Sequence, residues 1–144
     1  RIVEEFGGVK VAPDEIYGVE ADVFAPCALG AIINDKTIPQ LKCKVVAGAA
    51  NNQLEKPEHG FELLRRGIVY APDFAINAGG LINVAAELDG YNKEAVIGKV
   101  TQIFATITSI LEMADAEDIP PHVAADRLGD ARLLEARSKQ LALR

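Results

Sequence analysis

Short apolar runs alternate with helix-like stretches through the first half of the chain, and that alternation restricts the fold more than any other property of the sequence. Runs at 9–11, 22–26, 44–48 and 67–72 are each closed by Gly, Pro or Asn, as strands buried on both faces of a sheet are. Between them, 34–41 and 61–66 are predicted as short helices. Strands that alternate with helices predict an α/β domain with a mostly parallel sheet, flanked by helices and joined by right-handed crossovers. Residues 2–6 read as the last turns of a helix, with Gly7 and Gly8 as its stop.

The last third changes character. Residues 77–88 are predicted as a helix, interrupted at Asp89 and Gly90. From Asn92 onward, Val96, Val100, Ile103, Ile107, Ile110, Leu111 and Ala114 recur at three- and four-residue steps, the stripe of an amphipathic helix. Asn92 is placed to cap it, with Glu94 in the first turn. Pro120 and Pro121 end that stretch and start a final helix over about 123–140. With no repeat, low-complexity tract or linker, the chain reads as one domain.

Charge removes some function classes. Fifteen basic residues against twenty-one acidic ones leave a net charge of −6, which opposes binding to a phosphate backbone. No apolar run approaches the length that crosses a membrane, and there is no signal-peptide pattern, so a cytoplasmic protein is expected. Cys27 and Cys43 form no CxxC pair and have no neighbouring His, so neither a disulfide framework nor a metal site is expected. His59 and His122 are expected at the surface or at helix ends.

In an open parallel sheet, ligands collect beyond the carboxyl ends of the strands. Three motifs fall there: Ala-Pro-Cys-Ala-Leu-Gly at 25–30, Ala-Gly-Ala-Ala-Asn-Asn-Gln at 47–53 and Ala-Pro-Asp-Phe-Ala-Ile-Asn-Ala-Gly-Gly at 71–80. Small residues let a flat ligand approach the backbone, and Asn carboxamides both donate and accept hydrogen bonds. Taken singly, each has a plain structural use. Pro26 and Cys27 suit a turn with a small thiol, Asn51 and Asn52 suit a turn and cap, and Gly79 and Gly80 suit close helix packing. Their convergence carries more weight than any one of them. No GxSxG, HExxH, GxxxxGK[ST] or strand-linked GxGxxG pattern is present.

Together with Gly-Ile-Val-Tyr-Ala-Pro-Asp at 67–73, Asn-Ala-Gly-Gly-Leu-Ile-Asn-Val at 77–84 and Ile-Pro-Pro-His-Val-Ala-Ala-Asp-Arg at 119–127, these motifs resemble the leucine/phenylalanine/valine dehydrogenases, relatives of glutamate dehydrogenase. The likeness runs in order along nearly the whole chain. It implies a Rossmann-like NAD-binding domain, incomplete because its first strands lie upstream, with residues 1–144 forming part of it and the substrate domain absent. The implied reaction is reversible oxidative deamination: an L-amino acid and NAD give a 2-oxo acid, ammonia and NADH.

The resemblance also implies roles. Pro26, Cys27 and Ala28 would line the adenosine-ribose side of the cofactor path, Asn51 would contact the nicotinamide ribose and Asn77 the carboxamide end. Asn52 would hold the substrate near its α-carbon, and Leu81 and Val84 would wall its side chain. Those two residues suit a branched aliphatic group, although they could also face an aromatic ring. The Val-Ala-Ala-Asp-Arg ending leans toward the branched-chain members.

The family's general-base lysine, its carboxylate-binding lysine and its assisting aspartate have no matching position in this chain, so catalytic residues are expected upstream. The chain is expected to need that N-terminal part of the enzyme as its partner and to assemble as a homo-oligomer. Without its first strands the sheet would keep an open apolar edge, to be hidden by rearrangement, strand exchange or association. The alternative is a catalytically inactive, dehydrogenase-derived module for interaction or oligomerisation.

Overall fold

A computed structural model describes residues 1–88 and 90–142. The chain opens with the short helix α1 (Ile2–Phe6), ended by Gly7 at φ 66°. Three two-residue strands follow, β1 (Val23–Phe24), β2 (Val45–Val46) and β3 (Val69–Tyr70). They form one parallel sheet in the order β1-β2-β3, the α/β arrangement that the alternation predicts. Helix α2 (Glu58–Arg65) joins β2 to β3 and packs on β3. After β3 come α3 (Asp73–Ile76), α4 (Gly79–Ala85), α5 (Lys93–Glu117) and α6 (Pro121–Ala142).

Register explains the core. Val23, Val45 and Val69 stand in one row across the sheet, and Phe24, Val46 and Tyr70 in the next. Successive strand residues face opposite sides, so the second row enters the core with Ile33, Ile38, Leu41, Cys43, Leu63 and Ile68. The valine row does not: Val23 is 50% exposed and Val69 43%. The expectation of strands buried on both faces is therefore corrected. One face is packed; on the other, Val23 and Val69 stay exposed and Val45 is half-buried. The outer edge of β1 is without a strand partner among the described residues.

Three further expectations are corrected. Residues 9–11 form no strand; Val9 is exposed, because a strand needs a ladder partner and none reaches it. Residues 34–41 are not an α-helix. Asn34 Oδ1 accepts hydrogen bonds from the amides of Lys36 and Thr37, and the chain continues as a 3-10 turn at Ile38–Gln40 with Pro39 inside it, where an α-helix would lose a donor. The helix expected over 77–88 starts at Asp73 and breaks at Asn77 and Ala78 into α3 and α4. Of the interruption expected next, Asp89 lies outside the described residues and Gly90 takes φ 86°.

The long helix behaves as read. Asn92 Oδ1 accepts from the Ala95 amide at 3.0 Å, and every residue of the expected stripe is buried or half-buried. Ile110 and Ala114 pack on Ala124 and Ala125 of α6. By length and composition alone α5 is long and apolar enough to cross a bilayer, which corrects the expectation that no run approaches that length. In the structure it is packed along α6.

Both histidines are buried rather than superficial. His59 Nδ1 accepts from the Lys56 amide at 3.1 Å, and Nε2 lies 3.1 Å from Asp35 Oδ1. Nδ1 is thus an acceptor and Nε2 the donor. Glu55 lies within ligand distance of the same group, but both ring nitrogens of His59 already serve hydrogen bonds within the protein. His122 packs edge-on to Phe61 and against Gly60, and neither of its ring nitrogens finds a partner among the described residues.

Candidate functional site

Because the three strands run parallel, the loops that leave them emerge at one end of the sheet, and close backbone contacts tie them together. Gly48 lies against Pro26 so tightly that a Cβ there would sit 2.1 Å from the Pro26 carbonyl oxygen. The Ala50 amide donates to that same oxygen at 2.9 Å. Gly30 meets the Asn51 and Asn52 carbonyls in the same way, and the Ala31 amide donates to Asn52 O at 2.7 Å. Glycine at 30 and 48 is what permits this spacing.

The third loop is fastened by side chains. Asp73 is buried and accepts from the Asn52 amide at 2.5 Å and from the Tyr70 hydroxyl at 2.7 Å. Burial, reinforced by the adjoining Asp73 carboxylate, holds the Tyr70 hydroxyl far above its usual range, so it stays a donor. Asn77 Nδ2 donates to Asn51 Oδ1 at 2.6 Å. Gln53, fully buried, braces the second loop from below by donating to the carbonyls of Gly48 and Ala50.

The result is an open cleft of about 740 Å³. It brings together five of the eight residues singled out from sequence: Asn51, Asn52, Asn77, Leu81 and Val84. Leu81 and Val84 are exposed on α4 and line the same cleft. The other three, Pro26, Cys27 and Ala28, line a separate hollow of about 250 Å³ with Tyr17, Phe24 and Leu29. Within that trio Pro26 is buried, while Cys27 and Ala28 are exposed. A larger hollow of about 860 Å³ beside Asp35, His59 and Arg66 lies away from all eight.

Chemically, the cleft lining brings three carboxamides together with two aliphatic side chains. The Asn77–Asn51 bond leaves Asn77 Oδ1 free to accept and Asn51 Nδ2 free to donate. That set suits a ligand with hydroxyl and amide groups at one end and an apolar group at the other. No lysine lines the cleft among the described residues. Sequence reasoning assigned no role to Asp73 or Tyr70, although both stand in the motif at 67–73. An acid following Pro72 at a strand end was the available signal.

Comparison with known proteins places these features in context. Residues 2–140 match the model of the glutamate/leucine/phenylalanine/valine dehydrogenases. The leucine dehydrogenase of Geobacillus stearothermophilus is 58% identical over 133 residues, covering 92% of this chain and 36% of that enzyme. The crystal structure of L-tryptophan dehydrogenase from Nostoc punctiforme superposes with a TM-score of 0.91 at 44% identity, covering 95% of this chain and 41% of that one. The hetero-hexameric glutamate dehydrogenase of Thermus thermophilus, in its Leu-bound form, superposes at 0.70 with 25% identity, covering 93% of this chain and 34% of that one. The chain thus spans a little over a third of the length of the curated relatives it matches.

Proposed function

Since the chain belongs to the glutamate/leucine/phenylalanine/valine dehydrogenase family, we propose that it forms the cofactor-side wall of an NAD-dependent dehydrogenase that oxidatively deaminates a branched-chain L-amino acid. The observation that carries this reading is the single cleft lined by Asn51, Asn52 and Asn77 together with Leu81 and Val84.

The donor set fits the cofactor. Asn77 Oδ1 can accept from a carboxamide N–H, and Asn51 Nδ2 can donate to a ribose hydroxyl, which are the two polar groups nearest the reactive ring of NAD. Pro26, Cys27 and Ala28, in their own hollow, suit the adenosine-ribose end of an extended dinucleotide. When bound, NAD supplies the acceptor for the hydride lost from the substrate α-carbon. Asn52 holds the amino acid near that carbon. Leu81 and Val84 exclude water around its side chain and disfavour a charged one, because an unpaired carboxylate against them costs several kcal/mol. In that reaction the α-carbon would give up a hydride and the amine a proton, and water would then convert the imine to the 2-oxo acid and ammonia. The base for the proton steps comes from outside this chain.

The protein is read as a homo-oligomer working in the cytoplasm. Exposed Leu133 and Leu134 on α6 and Phe104 on α5 supply apolar contact surface, and one structural relative is described as hetero-hexameric. The test is NADH production by the whole protein with L-leucine, L-valine, L-phenylalanine and L-glutamate. The expected result is turnover with a branched-chain preference. A preference for glutamate would overturn the pocket assignment, and no turnover with any of the four would replace the enzyme by a dehydrogenase-derived interaction module.

A further inference from the structure

Asn52 stands in the left-handed region at φ 52°, a backbone conformation that costs free energy for any residue with a side chain, though less for Asn than for most. Both of its backbone polar groups are tied down. Its N–H donates to Asp73 Oδ2 at 2.5 Å, and its carbonyl accepts from the Ala31 amide at 2.7 Å. Its carboxamide, by contrast, makes no hydrogen bond to the protein among the described residues and lies on the cleft wall. The backbone is held and the functional group is left for a ligand.

Asp73 does the holding from an unusual place. It is the first residue of α3, where a carboxylate ordinarily serves its own helix end. Here it reaches across to position 52 of the second loop. It is buried, and its second oxygen is fixed by the Tyr70 hydroxyl at 2.7 Å. Tyr70 is itself one of the largest fully buried side chains, so the chain of contacts runs from the sheet core through Tyr70 and Asp73 to the Asn52 amide.

We infer that Asp73 is a positioning residue of the amino-acid end of the cleft: its carboxylate fixes the left-handed turn at Asn52 and so aims the Asn52 carboxamide at the substrate. The inference rests on the dehydrogenase reading above, and it separates the two halves of the site. Asn51, at the cofactor end, is braced by the Asn77 side chain at 2.6 Å, a bond in which the Asp73 carboxylate takes no part. Losing Asp73 therefore acts on the amino acid more than on NAD.

The test compares Asp73→Ala, Asp73→Asn and Tyr70→Phe in the whole protein. For Asp73→Ala, KM for the amino acid is expected to rise on the order of 10–100-fold, as for a misplacement of about 1 Å, while KM for NAD moves roughly threefold or less. Asp73→Asn, which keeps one acceptor for the Asn52 amide, lies between it and the wild type, and Tyr70→Phe loosens the carboxylate without removing it. Equal movement of both KM values, or a loss of kcat with both unchanged, would overturn the inference in favour of a merely structural aspartate. Hydrogen–deuterium exchange over 47–56 is measured on the same preparations. Faster exchange at Asn52 in Asp73→Ala supports the assigned role, and unchanged exchange overturns it. That readout stands even if the wild type shows no turnover, an outcome that refutes the dehydrogenase reading alone.

Discussion

Asn77 donates from Nδ2 to Oδ1 of Asn51 across 2.6 Å, joining two loops whose residues are 26 positions apart in the chain. The bond does two things at once. It ties the second and third loops together at the cleft, and it fixes which atom of each carboxamide is left for a ligand.

Replacing Asn77 with Ala removes that selection. A neutral hydrogen bond is worth about 0.5–1.5 kcal/mol, so KM for NAD is expected to rise by roughly 3- to 10-fold. KM for the amino acid should move less, the reverse of the pattern for Asp73. Steady-state kinetics of the whole protein check it, and unchanged NAD kinetics would remove Asn77 from the cofactor path.

Gly48→Ala tests the crossing of the first two loops. Its Cβ would meet backbone atoms of Pro26 at 2.1 and 2.4 Å, and backbone cannot swing aside as a side chain can. Overpacking of this kind costs about 1–3 kcal/mol or more. Urea denaturation should show a lower midpoint, with a larger drop than for alanine at Gly18, which has open space around its Cβ direction.

His122 gives the fold a pH dependence. Burial lowers its pKa from the usual 6.5, and Asp126 opposes the shift. The unfolded chain therefore takes up the proton first as the pH falls. The contribution to stability is fully present above about pH 6.5 and is lost as the pH drops through that value toward the lowered folded one. Thermal unfolding between pH 7.5 and 5 should show decreasing stability, with a shallower slope in His122→Phe. An identical slope in the variant would assign the dependence to other groups.

The valine face and the free edge of β1 predict association. Val23 is 50% exposed on a strand with no outer partner among the described residues, and such an edge pairs with whatever it meets. The 144-residue chain should sediment with a concentration-dependent mass, and Val23→Lys should shift it toward monomer. A constant monomer mass across a wide dilution series would sink the idea.

Much of this was legible in sequence, and the failures share a cause. The loops at 25–30, 47–53 and 71–80 could be picked out because small residues and carboxamides at strand ends have a local signature. Asn92 could be assigned as a cap because capping involves only its own next few residues. What escaped depends on partners far along the chain. His59 finds Asp35 from 24 positions away, and His122 finds Gly60, so neither burial could be read from its neighbours. The motif at 67–73 gives Asp73 no role by itself, because its partner at Asn52 is 21 positions distant.

The parallel pairing of the strands bears on when the site comes into being. Val45 meets Val69, and Val23 meets Val45, only after each intervening crossover has been laid down. Contacts between residues so far apart in sequence form late and slowly, because the loop must close before the pairing repays it. The Asn51–Asn77 and Asn52–Asp73 bonds span comparable separations, so the cleft forms with the sheet. A ligand of this cleft therefore binds only folded chains and withdraws them from the unfolded pool. By mass action it stabilises the fold by about 2.7 kcal/mol at a hundred times its Kd, so the small molecule acts as a clamp on the very topology that made room for it.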